Sequence, residues 1–82
     1  MTHTEAIKKA MIDTGVKQRD IMEFVGAKTQ SVISERINHK NISVKALAEI
    51  LDAMGYEVVI QPKSADGLRA DKQYVLSRED YV

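Results

Sequence analysis

The spacing of apolar residues across positions 17–41 predicts two short helices joined by a tight turn. Gln18–Val25 and Gln30–Asn38 each place their apolar residues so that they share one helical face. Gly26 predicts the end of the first of these helices, because glycine adopts the left-handed conformation at no steric cost. Thr29 is the predicted N-cap of the second helix, because its hydroxyl can accept from the first free backbone amides. The two apolar stripes consist of Ile21, Met22 and Val25, and of Val32, Ile33 and Ile37.

The opposite side of the helix Gln30–Asn38 is polar. Its outward residues are Gln30, Ser31, Ser34 and Glu35. They are short or planar hydrogen-bonding groups, of the kind that contact base edges in a DNA major groove. Four Lys or Arg residues and one acid lie from Lys28 to Lys45, whereas the whole chain has a net charge of zero. Positive charge is therefore concentrated where a phosphate backbone would pass. The alternative interpretation is an ordinary exposed helix in a small bundle.

Further helices are predicted on both sides of this pair. Thr2 begins a capping box for a helix that runs to about Asp13 and is ended by Gly15. Ser43 predicts the N-cap of a fourth helix, which stops before Gly55. Both helices carry apolar stripes that predict a shared core. The inward residues are Ile7, Ala10, Met11 and Thr14 in the first helix, and Val44, Leu47, Ile50, Leu51 and Met54 in the fourth.

After the fourth helix, the spacing of apolar residues changes from the helical pattern to the alternation of a strand. Tyr56–Gln61 is dense in β-branched residues and ends at Pro62, which predicts a strand. A strand needs a ladder partner. We favour the same strand of a second molecule; the alternative is that Gln73–Leu76 folds back on it. Residues 63–82 are predicted to be a linker and tail that docks on the body or on a dimer mate. The predicted dimer contacts are Tyr56, Val58, Val59 and Ile60.

The order of residues from Gln18 to Ser31 resembles a pattern found in a known protein family. Gln18, Met22 and Gly26 are spaced four apart and are followed by Thr29-Gln30-Ser31. This pattern is similar to the lambda-repressor/Cro-type (XRE-type) helix-turn-helix of phage repressors and bacterial transcriptional regulators. The resemblance covers roughly residues 4–61. It implies a mostly α fold of four helices followed by the C-terminal strand, with residues 1–62 as the DNA-binding domain.

The resemblance also implies roles for individual residues. Gln18 corresponds to a glutamine that touches phosphate, and Gln30 and Ser31 to the first positions that contact bases. We expect the base contacts to come from Gln30, Ser31, Ser34 and Glu35. We expect the phosphate contacts to come from Gln18, Lys28, Thr29, Arg36, Lys40 and Asn41. The chain departs from the family in its longer turn and at Lys17, Met22, Arg36 and His39.

Composition narrows the class of protein. With 82 residues and no cysteine, the chain is a small domain that needs no disulfide framework and suits a reducing cytoplasm. No apolar run approaches the roughly 18 residues of a membrane span. We find no nucleophile with a neighbouring base, no metal-ligand spacing and no phosphate loop, so we expect neither an enzyme nor a cofactor. A domain this small buries only about 60% of its unfolded surface, so association with a second copy would stabilise it.

Two functions remain open from the sequence, beside a third option of a structural dimer that binds no ligand. The first is a sequence-specific transcriptional regulator, most simply a repressor, that binds double-stranded DNA with a two-fold operator as a homodimer. The second is an antitoxin or protein-binding adaptor, whose strand and tail capture a toxin or another regulator. The two roles are compatible in one chain.

Overall fold

A computed structural model describes residues 1–63 and 73–81 of the chain. The mostly α fold expected from the sequence is confirmed: four helices precede a two-stranded antiparallel hairpin. The elements in chain order are α1 (His3–Thr14), α2 (Gln18–Val25), α3 (Gln30–Asn38), α4 (Val44–Asp52), β1 (Val58–Ile60), β2 (Tyr74–Leu76) and a 3₁₀ turn (Arg78–Tyr81). In the described ranges, no helix has the length and apolar character needed to cross a membrane.

The N-terminal ends of the helices are fixed by local hydrogen bonds. The hydroxyls of Thr2, Thr29 and Ser43 each accept from the backbone amide three residues on, which confirms the predicted N-caps of α1, α3 and α4. No such hydroxyl precedes α2. There the carboxylate of Asp20 accepts from the backbone amide of Lys17 at 2.9 Å. This bond ties the residue before α2 to its first turn.

Gly26 ends α2 as predicted, with φ at 77°. Its amide and that of Ala27 both donate to the carbonyl of Met22, so the last turn of α2 does not leave that acceptor unpaired. The four residues Gly26–Thr29 then carry the chain into α3. The predicted bounds of α2 and α3 therefore agree with the structure.

The core lies where the four helices meet. Its largest fully buried side chains are Ile7, Ile21, Ile33, Ile37 and Ile50. Two of the five come from α3, so the inner face of this helix is held by isoleucines one turn apart. The prediction that Val44 belongs to the buried stripe of α4 is wrong. Val44 is 43% exposed, because it occupies the first position of the helix at the edge of the bundle. Ala48 is buried instead, beneath the C-terminal segment.

The ladder partner of β1 lies in the same chain. Val58 pairs with Leu76, and Ile60 pairs with Tyr74. Beyond the ladder, the Gln73 side chain donates to that of Gln61 at 2.7 Å. The favoured expectation, that a second molecule supplies the partner strand, is therefore wrong for this edge of β1. Pairing within the chain is feasible despite the long connection, because the entropic cost of closing a loop rises only slowly with loop length. The connecting residues 64–72 lie outside the described ranges.

The chain beyond β2 packs back on the helices. The Nε of Arg78 lies 3.1 Å from a carboxylate oxygen of Asp52 in α4. Its guanidinium carbon stands 4.4 Å from the ring centroid of Phe24 in α2. A cation over an aromatic face at this distance is attracted by the ring quadrupole. The 3₁₀ turn is thus attached to two helices through one side chain.

Candidate nucleic-acid interface

The outer face of α3 is a polar surface that no other described element covers. Ile33 and Ile37 are 0% and 1% exposed, so the side of the helix opposite them faces solvent. Gln30, Ser31 and Glu35, three of the four predicted base-contacting residues, are exposed there. Their side chains make no hydrogen bond with other described residues, so all three have free donors or acceptors.

Ser34, the fourth predicted base-contacting residue, is placed differently. It is half-buried, and the side-chain amide of Asn38 donates to its backbone carbonyl at 2.8 Å and to its hydroxyl at 3.5 Å. Ser34 thus lies at the margin of the polar face, beside Asn38. The exposed amide group of Asn38 belongs to the same surface.

The N-terminal ends of α2 and α3 open on a common cleft of about 480 Å³. Gln18 and Gln30, which the sequence assigns to phosphate and base respectively, both line it. Lys17 and Arg19 add two cations to this cleft that sequence reasoning did not select. The sequence feature that could have identified them is their position, because both flank Gln18 at the start of α2. The cleft therefore joins two planar amides with two cations and with the carboxylate of Asp20, which accepts from the Lys17 backbone amide.

The turn between α2 and α3 presents Lys28 and Thr29 to solvent. The Thr29 hydroxyl accepts from the amide of Val32 at 3.4 Å. Its own hydrogen stays free to donate to an outside acceptor. Lys28 adds a cation immediately before the N-terminus of α3, where the helix dipole also favours negative charge.

Arg36 leaves α3 toward α4. It is half-buried and lines two adjoining grooves. One groove, of about 360 Å³, is shared with Asn41 and Ser43. The other also includes Lys45, a cation that was not chosen from the sequence. Arg36, Asn41 and Lys45 therefore cluster around the N-terminus of α4, which itself favours anions.

The segment that follows α3 is held by the N-terminus of α1. The Thr4 hydroxyl donates to the carbonyl of Ile37 at 2.7 Å, and Nε2 of His3 donates to the carbonyl of His39 at 2.7 Å. The ring of His39 accepts at Nδ1 from the amide of Asn41 at 3.0 Å. Sequence reasoning missed His3 and Thr4. The sequence feature that could have identified Thr4 is its position three residues before Ile7, which places a polar side chain on the inward face of α1.

The predicted dimer contacts divide into two groups. Tyr56 and Ile60 are 44% and 55% exposed, whereas Val58 and Val59 are half-buried. Tyr74, which pairs with Ile60 across the hairpin, is 66% exposed. Because side chains directly opposite in an antiparallel pair point to the same face, Ile60 and Tyr74 form one apolar patch.

Comparison with known proteins gives no relative: no family model, no curated protein and no solved structure matches this chain.

Proposed function

We propose that this protein is a sequence-specific DNA-binding transcriptional regulator that represses by occupying a two-fold operator as a homodimer. The observation that supports this most strongly is the outer face of α3. It exposes Gln30, Ser31 and Glu35, while Ile33 and Ile37 anchor the opposite side in the core. A firmly anchored helix with a free polar face can enter a major groove without rearranging the domain.

In the proposed complex, α3 lies in the major groove and its side chains contact base edges. The amide of Gln30 can bond to both N6 and N7 of adenine. Glu35 can accept from the N4 amino group of cytosine, and the Ser31 hydroxyl can bond to either type of edge. Ser34 stands nearer the margin of the face, beside Asn38, and would contact the last base of the site.

Contacts with phosphate would surround this central strip. Gln18 shares the cleft of Gln30 and would bond to phosphate at the N-terminal end of α3. Lys28 and Thr29 stand in the turn, while Arg36, Lys40 and Asn41 stand at the other end of the helix. Cations at both ends would fix the position of α3 along the duplex, because phosphate contacts set register rather than sequence preference.

A two-fold operator requires two copies of α3 in a fixed relation. We propose that the copies join through the apolar patch of the hairpin, Ile60 with Tyr74, together with Tyr56. The alternation of side chains along β1 places Val58 and Ile60 on one face of the hairpin, and the exposed Tyr56 precedes the strand by two residues. Burial of the exposed members against the same face of a second copy would remove apolar surface that water now contacts.

The same patch supports the second candidate function, a protein-binding adaptor or antitoxin. A clustered exposed apolar surface is typical of protein contact sites. The two candidates differ in what the purified protein does alone. A regulator is a dimer in solution and selects DNA, whereas an adaptor stays monomeric until its protein partner is added.

The experiment that tests the proposed function is selection of bound duplexes from a random-sequence DNA pool at near-physiological salt. We expect enrichment of an inverted repeat with half-sites about one helical turn apart. If no sequence is enriched and all binding disappears with modest salt, only non-specific electrostatic attraction is present. That result would contradict the proposal and favour the adaptor.

A further inference from the structure

We propose that His3 and Thr4 are positioning residues for DNA binding, which hold the segment 39–41 so that Lys40 and Asn41 meet phosphate. The inference rests on the proposed function, but it concerns residues of α1 that lie outside the DNA-contacting set. We call the two hydrogen bonds from His3 and Thr4 to the end of α3 the α1 brace.

The end of α3 needs an outside partner because it lacks a left-handed glycine. α1 and α2 both end in a glycine with positive φ, whose amide returns to a carbonyl of the last turn. α3 ends instead at His39, with φ at −69°. The last carbonyls of a helix have no partner within it. Here the His39 amide donates to the carbonyl of Arg36 at 3.3 Å, and the Thr4 side chain of α1 supplies the donor for Ile37.

The brace reaches two successive points of the chain. Thr4 donates to the carbonyl of Ile37, inside the last turn of α3, and His3 donates to the carbonyl of His39, just beyond it. Both distances are 2.7 Å, which is the usual length for the O–H···O bond of Thr4 and the short end of the range for the N–H···O bond of His3. A carbonyl can only accept, so the Nε2 of His3 carries the hydrogen.

A third hydrogen bond joins His39 to Asn41, one of the two proposed phosphate-contacting residues of this segment. The Nδ1 of His39 accepts from the backbone amide of Asn41 at 3.0 Å. The main chain is therefore tied at Ile37, His39 and Asn41, and Lys40 lies between two tied points. Lys40 and Asn41 are themselves exposed. Their side chains face solvent, while the chain before them is bonded to α1 at Ile37 and His39 and the Asn41 amide is bonded to the His39 ring.

This arrangement matters because a contact residue on a loop binds well only if supporting residues hold its backbone. Without the brace, the chain would lose its fixed point at His39 and, just before the segment 39–41, the one at Ile37. The ordering of Lys40 and Asn41 would then oppose binding. The loss would fall mainly on phosphate contacts, since two of the proposed base-contacting residues, Gln30 and Ser31, lie at the other end of α3 and the braced carbonyls follow Ser34 and Glu35.

The test compares His3→Ala and Thr4→Val with the unmodified protein on its selected operator. Affinity is measured over a range of salt concentration, and thermal unfolding is measured in parallel. We expect affinity to fall about threefold to tenfold for each variant, as for loss of one hydrogen bond. We also expect the slope of log affinity against log salt to flatten by about one, as for a lost phosphate contact. Lys40→Ala gives the reference value for that flattening.

Thr14→Val is the matched control for Thr4→Val. The Thr14 hydroxyl also donates to a carbonyl at 2.7 Å, but that carbonyl belongs to Ala10 within α1. Its removal should leave the salt slope unchanged. Thr4→Ser and His3→Gln keep a hydrogen-bond donor near the same place, so both should recover the slope.

Two failures are distinguishable. If the unmodified protein selects an operator and the brace variants keep its salt slope, the brace is structural only and the inference is wrong. If the unmodified protein selects no DNA, the proposed function fails and the inference fails with it. A flattened slope in Thr14→Val would also overturn the inference, because the effect would then come from α1 stability in general.

Discussion

At the scale of single residues, α3 owes its position to a few side chains with separate tasks. Ile33 and Ile37 are almost completely buried and hold the inner face. Thr29 caps the first turn, Thr4 donates to a carbonyl of the last turn, and His3 donates to the carbonyl of His39 just beyond it. None of these tasks uses the outward residues, so Gln30, Ser31 and Glu35 can vary without disturbing the fold. Under the proposed function, such separation would let one scaffold carry different DNA preferences.

Gly26 provides a residue-scale prediction about stability. Its φ of 77° favours glycine, although a Cβ at this position would meet nothing within 4 Å. The cost of Gly26→Ala is therefore conformational rather than steric. We expect the free energy of unfolding to fall by about 1 to 2 kcal/mol, measured by urea denaturation. Gly26→Asn should cost less, because asparagine tolerates this conformation better. Equal losses for the two variants would contradict this explanation.

Local signals made several residues predictable from the sequence. Hydroxyl side chains before apolar runs marked the N-caps Thr2, Thr29 and Ser43, because a cap depends on neighbours within three residues. The α1 brace was not predicted. Thr4 and Ile37 are 33 positions apart in sequence, and no local pattern indicates which carbonyl a threonine will reach. The half-buried state of Ser34 was missed for a similar reason, since it depends on how far the core extends around α3.

At the scale of secondary-structure elements, the 3₁₀ turn acts as an attachment between the hairpin and the helices. Arg78 contacts Asp52 of α4 and the ring of Phe24 in α2. Ala48 of α4 lines one pocket together with Leu76 and Arg78 of the C-terminal segment. The hairpin is thereby held against the helical body near the helices that carry the proposed interface.

Arg78→Ala is the prediction at this scale. The side chains of Arg78 and Asp52 are 36% and 47% exposed, so their ion pair is worth only about 0 to 1 kcal/mol. The contact with Phe24 adds about 0.5 to 1 kcal/mol. We expect the free energy of unfolding to fall by roughly 1 kcal/mol in a denaturant titration. Glu79→Ala, an exposed residue of the same turn, is the control and should have little effect. Equal effects of the two changes would show that Arg78 makes no special contribution.

The helices were predictable as elements, but the partner of the strand was not. Helix bounds follow from caps, glycines and a period of 3.6, all of which act over short distances. Strand pairing joins residues far apart in sequence, here Val58 with Leu76. The sequence offered two partners for β1. Only the folded chain showed that the internal one forms the ladder.

At the scale of the whole molecule, the proposed function requires two copies, and the exposed part of the hairpin is the proposed contact. Ile60→Glu should abolish the dimer at micromolar concentration in sedimentation experiments, because a charge would be buried without a partner. Operator affinity should fall with it. Folding should be little affected, since Ile60 is 55% exposed.

Ile12→Glu is a matched control for this prediction. Ile12 lies on α1 and is 80% exposed, so it gives the same change of residue type away from the hairpin. We expect this variant to stay dimeric and to bind the operator normally. A dimer that survives Ile60→Glu, or that Ile12→Glu disrupts equally, would place the contact elsewhere.

The central claim is that the outer face of α3 contacts bases, and the most direct test is a pair of selections from a random DNA pool. One uses the unmodified protein and the other uses Gln30→Ala. We expect both to enrich the same inverted repeat, with the preference relaxed at one base pair per half-site in the variant and a loss of about 1 to 3 kcal/mol in specific binding. Gln18→Ala, the phosphate-contact control, should weaken binding and leave the enriched sequence unchanged. An unchanged sequence for Gln30→Ala, with equal losses on operator and random DNA, would contradict the claim.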